Sequence, residues 1–299
     1  MAQTLKPLDQ QVIVITGASS GIGLATAHAA AAQGAKLVLA ARSGDTLEQV
    51  VADLAADGCD AISVTADVSD RAQVESIAQQ AIARFGRIDS WVNDAGLSIY
   101  GRLREVSEED SRRLFDINFW GVVNGSLVAL PYLLRQGGAL INLGSEVSEA
   151  VVPLQGMYAA SKHAVKGFTD ALRVEVEELD KAPVSITLIQ PTAVDTPFPQ
   201  HAKNYMDKEP KLPTPMIDPF KVAEAILDAA TNPARDVKVG AMSTLNTAMH
   251  KLMPAVAEKV AKKYANRQQY DEAPRHPEGA LYQPSGSGHI HGSGGVTPH

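Results

Sequence analysis

The sequence predicts an α/β protein built on a single, doubly wound parallel sheet. Short runs of mostly apolar, often β-branched residues recur along the chain, and segments rich in Ala, Leu and Glu with helical spacing separate them. Near-continuous apolar runs are typical of strands that are covered on both faces. Regular alternation of such strands with helices builds right-handed βαβ units, and therefore a parallel sheet with helices on both sides.

The predicted elements follow one another in order from residue 12 onward. Strands are predicted over 12–16, 36–40, 61–65, 90–93, 139–143, 184–189 and 237–241. Helices are predicted between them over 21–33, 44–57, 70–85, 107–135, 157–180 and 219–231. Trp91 falls inside an apolar run, so we expect it in the core.

The chain divides into three parts by composition. We expect a core domain over 1–241, a short helical C-terminal extension over 242–270, and a flexible tail over 271–299 that is rich in Gly, Ser, Pro and His. Within the extension, the amphipathic stretch 254–264 is expected to pack over the substrate cleft or against another subunit. The tail histidines are not spaced with Cys or carboxylates as metal ligands are, so we expect a solvated tail and no metal site; they are His276, His289, His291 and His299.

Charge and targeting signals narrow the function classes. The net charge of -7 disfavours binding to nucleic acid or to an anionic membrane surface. Cys59 is the only cysteine, so no intrachain disulfide can form, and a reducing compartment is expected. The first eleven residues lack the apolar core of a signal peptide, and no uninterrupted apolar run reaches the roughly 18 residues of a membrane span. We therefore expect a cytoplasmic protein without a membrane span.

A glycine-rich turn follows the first predicted strand and opens the first helix. Residues 16–23 read T-G-A-S-S-G-I-G. Gly17 allows a tight turn, Gly21 lets the backbone approach a pyrophosphate, and Gly23 lets helix and strand pack closely, while the helix N-terminus offers free N–H groups to phosphate. The spacing differs from G-x-G-x-x-G, so by itself the motif is also compatible with a plain tight turn.

A second motif places a phenol and an ammonium on one helix face. Tyr158 and Lys162 are four residues apart, so both side chains line the same surface. A free tyrosine titrates near ~10, and a neighbouring cation is expected to lower the pKa of Tyr158 towards the range useful for proton transfer. Alone, this pair is a weak signal, because many surface helices carry one by chance.

Together with their spacing, these motifs resemble those of the short-chain dehydrogenase/reductase family over residues 11–240, which implies a Rossmann-like fold. Asn118, Ser145, Tyr158 and Lys162 match the family's catalytic tetrad, with 27 residues from Asn118 to Ser145 and 13 from Ser145 to Tyr158. Residues 93–96 resemble N-N-A-G with Asp94 in place of the second Asn. Residues 191–196 resemble P-G-x-x-x-T with Thr192 in place of Gly.

The resemblance implies which residues bind a nicotinamide dinucleotide. Asp67 would touch the adenine and Thr196 the carboxamide. The complete expected set is Gly17, Ser19, Ser20, Gly21, Ile22, Gly23, Arg42, Asp67, Val68, Asn93, Ala95, Gly96, Tyr158, Lys162, Pro191, Val194 and Thr196.

The resemblance also implies a hydride-transfer reaction between a carbonyl compound and its alcohol, a CH–OH oxidoreduction. Ser145 would polarise the carbonyl, Tyr158 would act as the acid or base, and Lys162 would hold the ribose hydroxyls. Asn118 would hold a water of a proton relay. Glu146 and Glu149 flank the serine, and a solvated loop is expected for both.

The end of the second strand indicates NADP(H). An NAD enzyme of this kind needs an acidic residue about 20 positions after the glycine motif. Residues 40–43 read A-A-R-S instead, so Arg42 can pair with a 2′-phosphate and Ser43 and Ser19 can add neutral donors. Arg42 as an ordinary surface residue, and dual cofactor use, stay open at this point.

Two other functions remain as alternatives: a dinucleotide-binding sensor without turnover, and a sugar-nucleotide epimerase or dehydratase of related fold. The intact tetrad disfavours the first, and the small C-terminal extension disfavours the second.

The expected partners are a small-molecule carbonyl or alcohol and further copies of the chain. The family pairs the helices that correspond to 107–135 and 157–180, so a homodimer or homotetramer is expected. Their surplus apolar residues include Phe115, Phe119, Trp120 and Phe168.

Overall fold

The computed structural model describes residues 5–265, 267–285 and 287–292. Within these residues a seven-stranded parallel sheet has the order β3-β2-β1-β4-β6-β7-β9. The single doubly wound parallel sheet predicted from the sequence is therefore confirmed. Its strands are β1 Val12–Thr16, β2 Lys36–Ala41, β3 Ala61–Thr65, β4 Ser90–Asn93, β6 Gly138–Leu143, β7 Val184–Pro191 and β9 Asp236–Val239.

The helices between the strands follow the predicted order. They are α1 Gly21–Ala31, α2 Gly44–Ala56, α3 Arg71–Phe85, α4 Glu108–Phe115, α5 Gly121–Gln136, α6 Gly156–Arg173, α7 Phe198–His201, α8 Pro219–Thr231, α9 Ala241–Leu252 and α10 Pro254–Ala265. The last strand is shorter than the predicted 237–241, because Gly240 has a φ of 91° and α9 starts directly after it.

Alternation along the strands divides the core between the two faces of the sheet. Val12 and Val14 of β1 belong to the cluster that α3, α5 and α6 cover. Ile13 and Ile15 belong to the opposite cluster, under α1, α2 and α8. Trp91 is fully buried in the first cluster, as predicted. Because both faces are covered, the central strands read as continuous apolar runs.

Both long predicted helices contain a π-helical segment. The first, Asp116–Trp120, joins α4 to α5, and the second, Val174–Leu179, follows α6. Such segments occur frequently at functional sites. Asn118 lies in the first one and is fully buried.

The helical stretch Glu108–Gln136 is long and apolar enough, by length and composition alone, to cross a membrane. However, 61% of its most apolar part is buried inside the fold, and α5 packs on β4 and β6. A buried core helix of sufficient length and apolar composition meets the same criterion, so the criterion alone is weak evidence for a membrane span. The sequence does not reveal this stretch as an unbroken apolar run, because acidic and basic residues occupy α4.

Two short strands, β5 Ile99–Tyr100 and β8 Lys203–Asn204, form a separate parallel pair. Neither was predicted, because two residues are too few to show any alternation. The pair joins the loop after β4 to the proline-rich excursion after β7, and both loops border the site described below.

The C-terminal residues contact the domain along much of their length. Ala280 and Leu281 are buried in the core, and His291 lies 3.4 Å from Asp218. The sequence predicts a solvated tail and none of these contacts. Its flexibility and the domain bounds at 241 and 270 stay predictions, and His299 lies outside the described residues. In the part of the chain that the structure describes, no group of three or more His, Cys, Asp or Glu is arranged to hold a metal ion.

A buried polar network ties β4 and β6 to the helices above them. The Asn93 amide donates to Asn142 Oδ1 at 2.8 Å, and the Asn142 amide donates to Thr169 Oγ1 at 3.0 Å. Asn93 Oδ1 accepts a hydrogen bond of 2.8 Å from the Trp91 indole. Asn142 is fully buried and serves as donor and acceptor at once, so its loss leaves polar partners unsatisfied.

We expect Asn142→Ala to destabilise the protein by about 1–3 kcal/mol, since unpaired buried polar groups cost that much. The matched control is Asn232→Ala, which removes an exposed amide and should stay within about 0.5 kcal/mol of the parent. The free energy of unfolding from urea titration measures both. Equal stabilities of the two variants would show that the network contributes nothing.

Candidate functional site

The site lies at the carboxyl end of the sheet, between β1 and β4. At this point the strand order reverses, so the loops after the two strands diverge and leave a crevice, where ligands of open α/β sheets bind. A cavity of about 230 Å³ lies there. The predicted residues that line it are Gly17, Ser19, Ser20, Gly21, Ile22, Arg42, Asp67, Val68, Ala95, Gly96, Ser145, Tyr158, Lys162, Pro191, Val194 and Thr196.

In the glycine-rich turn, the backbone comes very close to the backbone of the loop after β4. Gly17 has a φ of 76°, and a Cβ on it would lie 2.8 Å from the Ala95 backbone. A Cβ on Gly23 would lie 2.4 Å from the Gly17 carbonyl oxygen, so this position packs α1 against the turn and does not line the cavity. The N-terminus of α1 therefore lies at the crevice, and Gly21 and Ile22 of its first turn line the cavity.

Three predicted catalytic side chains converge on one wall of the cavity. Ser145 follows β6, and Tyr158 and Lys162 share one face of α6. Both side chains line the cavity, and Ser145 lies close enough to lower the pKa of Tyr158. Lys162 Nζ donates to the Leu143 carbonyl at 2.7 Å and lies 5.9 Å from the centre of the Tyr158 ring.

The protonation of Tyr158 differs from the expectation. Desolvation raises its pKa to about 12; the hydrogen bond with Ser145 opposes this, and the nearby carboxylates of Glu146 and Asp94 add to it. The sequence predicts a lowered value because it shows the cation at Lys162 and neither of the two carboxylates. At neutral pH the phenol therefore holds its proton and is ready to donate it.

Asp94, the departure from the N-N-A-G pattern, is part of this charge arrangement. Desolvation raises its pKa to about 7, although Lys162 and the Gly23 N–H both stabilise the carboxylate. Desolvation lowers the pKa of Lys162 to about 8, and Asp94 counteracts that effect. The carboxyl group thus helps to keep the ammonium charged near neutral pH.

We expect Asp94→Asn to lower the pKa of Lys162 below its wild-type value, because Asn removes the negative charge that favours the ammonium. Titration of the lysine Cε signals by ¹³C NMR measures this, with the Lys162 signal assigned from Lys162→Met. The control, Asp228→Asn, removes an exposed carboxylate on α8 and should leave the signal unchanged. A Lys162 pKa that stays or rises in Asp94→Asn would contradict the interpretation.

Besides Gly23, two predicted residues, Asn93 and Asn118, do not line the cavity. Asn93 belongs to the buried network of β4 and β6. The Asn118 amide clamps the loop after β4: its Nδ2 donates to the Leu97 carbonyl at 2.9 Å, and its Oδ1 accepts from the Leu97 N–H at 2.8 Å. The structure therefore shows Asn118 as a residue that positions this loop.

Arg42 and Asp67 lie at the far end of the crevice. Arg113, which the sequence did not indicate as a site residue, forms an ion pair with Asp67 there. Arg113 Nη2 is 2.5 Å from Asp67 Oδ2, and Ser69 donates to the same carboxylate. Although desolvation raises the pKa of Asp67, the hydrogen bonds from Arg113 and Ser69 hold it below its usual range. Arg113 stands 46 residues away on α4, and no local motif marks it.

The C-terminal residues complete this end of the crevice. The Arg42 guanidinium donates to the carbonyl oxygens of Ala280 and Leu281, the latter at 3.3 Å. Ser43 Oγ donates to the Ser285 carbonyl at 2.7 Å. Desolvation, together with the charge of Arg113, lowers the pKa of Arg42, while Asp67 raises it.

The loop after Ser145 is not solvated as expected. Glu146 accepts hydrogen bonds from Thr192 at 3.1 Å and Asn246 at 2.9 Å, and desolvation raises its pKa. Glu149 lies near Lys251, at 2.5 Å, and the Glu149 side chain is only 6% exposed. The solvated loop predicted for both glutamates is therefore wrong, because partners distant in sequence enclose them.

A second, smaller cavity adjoins this loop and is mostly apolar. Its volume is about 40 Å³. Met242 and Met249 of α9 line it together with Ala257, Val260 and Ala261 of α10. Residues 257–261 of the amphipathic stretch thus help to line this cavity, and the expected packing over the substrate cleft or against another subunit stays a prediction.

The residues present fit a nicotinamide dinucleotide. The crevice has a glycine cradle that a Cβ would fill, a helix N-terminus, the Arg42 guanidinium at one end and the Ser145 and Tyr158 hydroxyls at the other. Phosphates need such donors, and a reacting carbonyl needs a proton donor.

Comparison with known proteins agrees with this arrangement. The family model for short chain dehydrogenase matches residues 11–206. The chain belongs to the short-chain dehydrogenase/reductase family. A relative described as uncharacterized oxidoreductase YxnA, from Bacillus subtilis (strain 168), is 45% identical over 283 residues, which cover 93% of this chain and 79% of the relative.

Solved structures of this family resemble the chain as well. An alcohol dehydrogenase from Thermococcus sibiricus complexed with 5-hydroxy-NADP is 32% identical with a TM-score of 0.67, covering 77% of this chain and 94% of its own. A short chain dehydrogenase/reductase from Burkholderia phymatum in complex with NAD is 28% identical with a TM-score of 0.71, covering 90% and 99%. The protein is thus an oxidoreductase of a family that binds nicotinamide dinucleotides, and its substrate is a small molecule.

Proposed function

We propose that the protein is an NADP(H)-dependent oxidoreductase that interconverts a carbonyl compound and its alcohol, with Tyr158 as acid and base. The observation that carries the proposal is that Ser145, Tyr158 and Lys162 line the same cavity as the glycine-rich turn, with Lys162 Nζ 5.9 Å from the centre of the Tyr158 ring. Two hydroxyl donors on one cavity wall can both reach one substrate oxygen.

The proposed mechanism follows from these groups. The nicotinamide, when bound, supplies or accepts the hydride. Ser145 donates a hydrogen bond to the substrate oxygen and polarises the carbonyl, while Tyr158 transfers its proton to that oxygen as negative charge develops. A phenol with a pKa of about 12 is protonated at neutral pH, which suits reduction. Lys162 stabilises the phenolate that remains, and alcohol oxidation reverses these transfers.

The second cavity supports an apolar substrate body. It adjoins Glu146 and is lined mainly by Met, Val, Ala and Pro side chains, and apolar walls bind apolar groups through burial. We propose a carbonyl compound whose body enters this cavity while its oxygen stays at Tyr158.

We also propose a cytoplasmic location and assembly into a homodimer or homotetramer. Trp120 is 51% exposed, and it packs edge-to-face against Phe119, which in turn contacts Phe168. An aromatic cluster with an exposed member supports a subunit contact on the α5–α6 side.

We expect Tyr158→Phe to lower kcat by about a hundredfold or more, because the proton donor is lost while the ring and its packing remain. The dissociation constant of NADPH should change less than threefold. NADPH consumption against a panel of apolar aldehydes and ketones, with calorimetric NADPH binding, measures both. Tyr132→Phe, which alters a tyrosine away from the cavity, is the matched control. Wild-type turnover in Tyr158→Phe would refute the assignment.

The cofactor choice depends on Arg42. We expect the wild type to prefer NADPH to NADH, and Ala41→Asp combined with Arg42→Ala to reverse this, because a carboxylate then repels the 2′-phosphate whose cationic partner is lost. A charge-assisted bond contributes about 1.5–3 kcal/mol, so NADPH efficiency should fall about tenfold to a hundredfold.

The measurement is the ratio of kcat/KM for NADPH and NADH. Arg42→Lys is the matched control: it keeps the charge without the bidentate fork, and its ratio should lie between those of the wild type and the double variant. A wild type that prefers NADH would contradict the proposed cofactor.

A further inference from the structure

The C-terminal strap, which we define as the described residues 277–285 and 287–292, lies across the phosphate-binding end of the crevice. It is anchored at its start. The Asn204 N–H donates to the Pro277 carbonyl at 2.8 Å, and the Ala280 N–H donates to the His201 carbonyl at 2.8 Å. Leu281 is fully buried in the core. The strap therefore begins from a fixed point.

Beyond this anchor, the strap binds with its backbone carbonyl oxygens. Ser285 accepts from the Ser43 hydroxyl at 2.7 Å, and His289 accepts from the Gly21 N–H at 2.9 Å. The chain then reaches Gly292, where a Cβ would lie 2.8 Å from the Thr196 carbonyl oxygen. The distal strap thus crosses from the Arg42 end of the crevice to the loop after β7.

The donors that the distal strap occupies are the ones that phosphate needs. The Gly21 N–H is at the N-terminus of α1, where a pyrophosphate is expected, and Ser43 is next to Arg42, where a 2′-phosphate is expected. A carbonyl oxygen is a neutral acceptor, and a phosphate is an anionic one that binds the same N–H and O–H groups more strongly. A phosphate can therefore displace the strap, at a cost in affinity.

We propose that the distal strap, Ser285 and 287–292, is an intramolecular competitor for the phosphate donors of the dinucleotide site. This inference rests on the proposed function. The strap is tethered, so its carbonyls are always at high local concentration. When the competent state is only partly populated, the apparent Kd rises by the inverse of its population; a strap that is closed nine-tenths of the time weakens binding about tenfold.

The distal strap has no Asp, Glu, Lys or Arg, since residues 283–299 contain none, and its ionisable side chains are those of His289 and His291. Displacing the strap therefore leaves the charges of Arg42, Asp67 and Arg113 in place, and any change in affinity reflects competition for donors. This property allows a test in which the net charge stays constant.

The main variant is full-length Gly288→Val with Gly292→Val. Gly288 has a φ of 57°, which strains valine, and a valine at position 292 would collide with the Thr196 backbone. We expect NADP⁺ to bind about tenfold more tightly than to the wild type. Gln283→Val places the same side chain at an exposed strap position before Ser285 and should not change the Kd. Calorimetry with NADP⁺ and NAD⁺ measures all three proteins.

Truncation after Tyr282 removes the distal carbonyls outright and is the second variant. The new terminal carboxylate repels phosphate and should weaken binding. Tighter NADP⁺ binding by the truncated protein would therefore be strong support for the proposal. Unchanged or weaker NADP⁺ binding in both variants overturns the proposal.

Thermolysin provides a readout independent of affinity, because it cleaves before Ile290, which packs on the core. Cleavage should be faster in Gly288→Val/Gly292→Val than in the wild type, and NADP⁺ should accelerate it in the wild type. Protection of Ile290 by NADP⁺ would mean that the strap closes over the cofactor, and would overturn the proposal.

The two proposals fail in different ways. If no chain binds NADP⁺ or NAD⁺, the proposed function fails, and the strap has nothing to compete with. If the wild type prefers NAD⁺, only the cofactor choice fails, and the strap is still tested through Gly21 with NAD⁺. Binding that is equal in the wild type and both variants refutes the strap alone.

Discussion

The close packing of α1 against the turn after β1 is the constraint on which the site depends. A Cβ on Gly23 would meet the Gly17 carbonyl oxygen at 2.4 Å and the Asp94 carboxylate at 2.8 Å. Only glycine lets the helix start so close to both loops. The same contact aims the N–H groups of α1 into the crevice, because the strand order reverses between β1 and β4. The phosphate donors and the buried charges of the site are therefore fixed by one piece of backbone geometry.

The charges that follow from this geometry are few and strongly coupled. Desolvation favours the neutral forms of Asp94, Lys162 and Tyr158 alike. The Leu143 carbonyl at the end of β6 accepts from Lys162 and compensates part of the cost of a buried ammonium. Asp94 also favours the ammonium, although the pKa of Lys162 stays lowered, and Asp94 adds to the effects of desolvation and Glu146 that raise the pKa of Tyr158. Burial and the carboxylates of Glu146 and Asp94 together thus favour the protonated form of Tyr158.

The fold and most of the cavity wall could be predicted from local sequence patterns. Pairs of residues that lie far apart in the sequence could not be predicted. The strands and the glycine-rich turn depend on neighbouring residues, so periodicity and spacing reveal them. Arg113 on Asp67 and Asn246 on Glu146 join residues 46 and 100 positions apart, and no pattern in one sequence signals such pairs. The pKa of Tyr158 was mispredicted for the same reason: the sequence shows Lys162 four residues away, but neither the desolvation nor the carboxylates.

The C-terminal strap was missed for a different reason: its contacts are made by carbonyl oxygens, which every residue carries, so a composition of Gly, Ser and His neither predicts nor excludes them. A neutral intramolecular competitor has a selective effect under mass action. It weakens every phosphate-bearing ligand by the same factor, set by how often the strap is closed. A small anion that binds through the donors alone then falls below useful occupancy. A dinucleotide also gains from the Tyr158 end of the crevice and stays bound, so competition at one end favours ligands that span both.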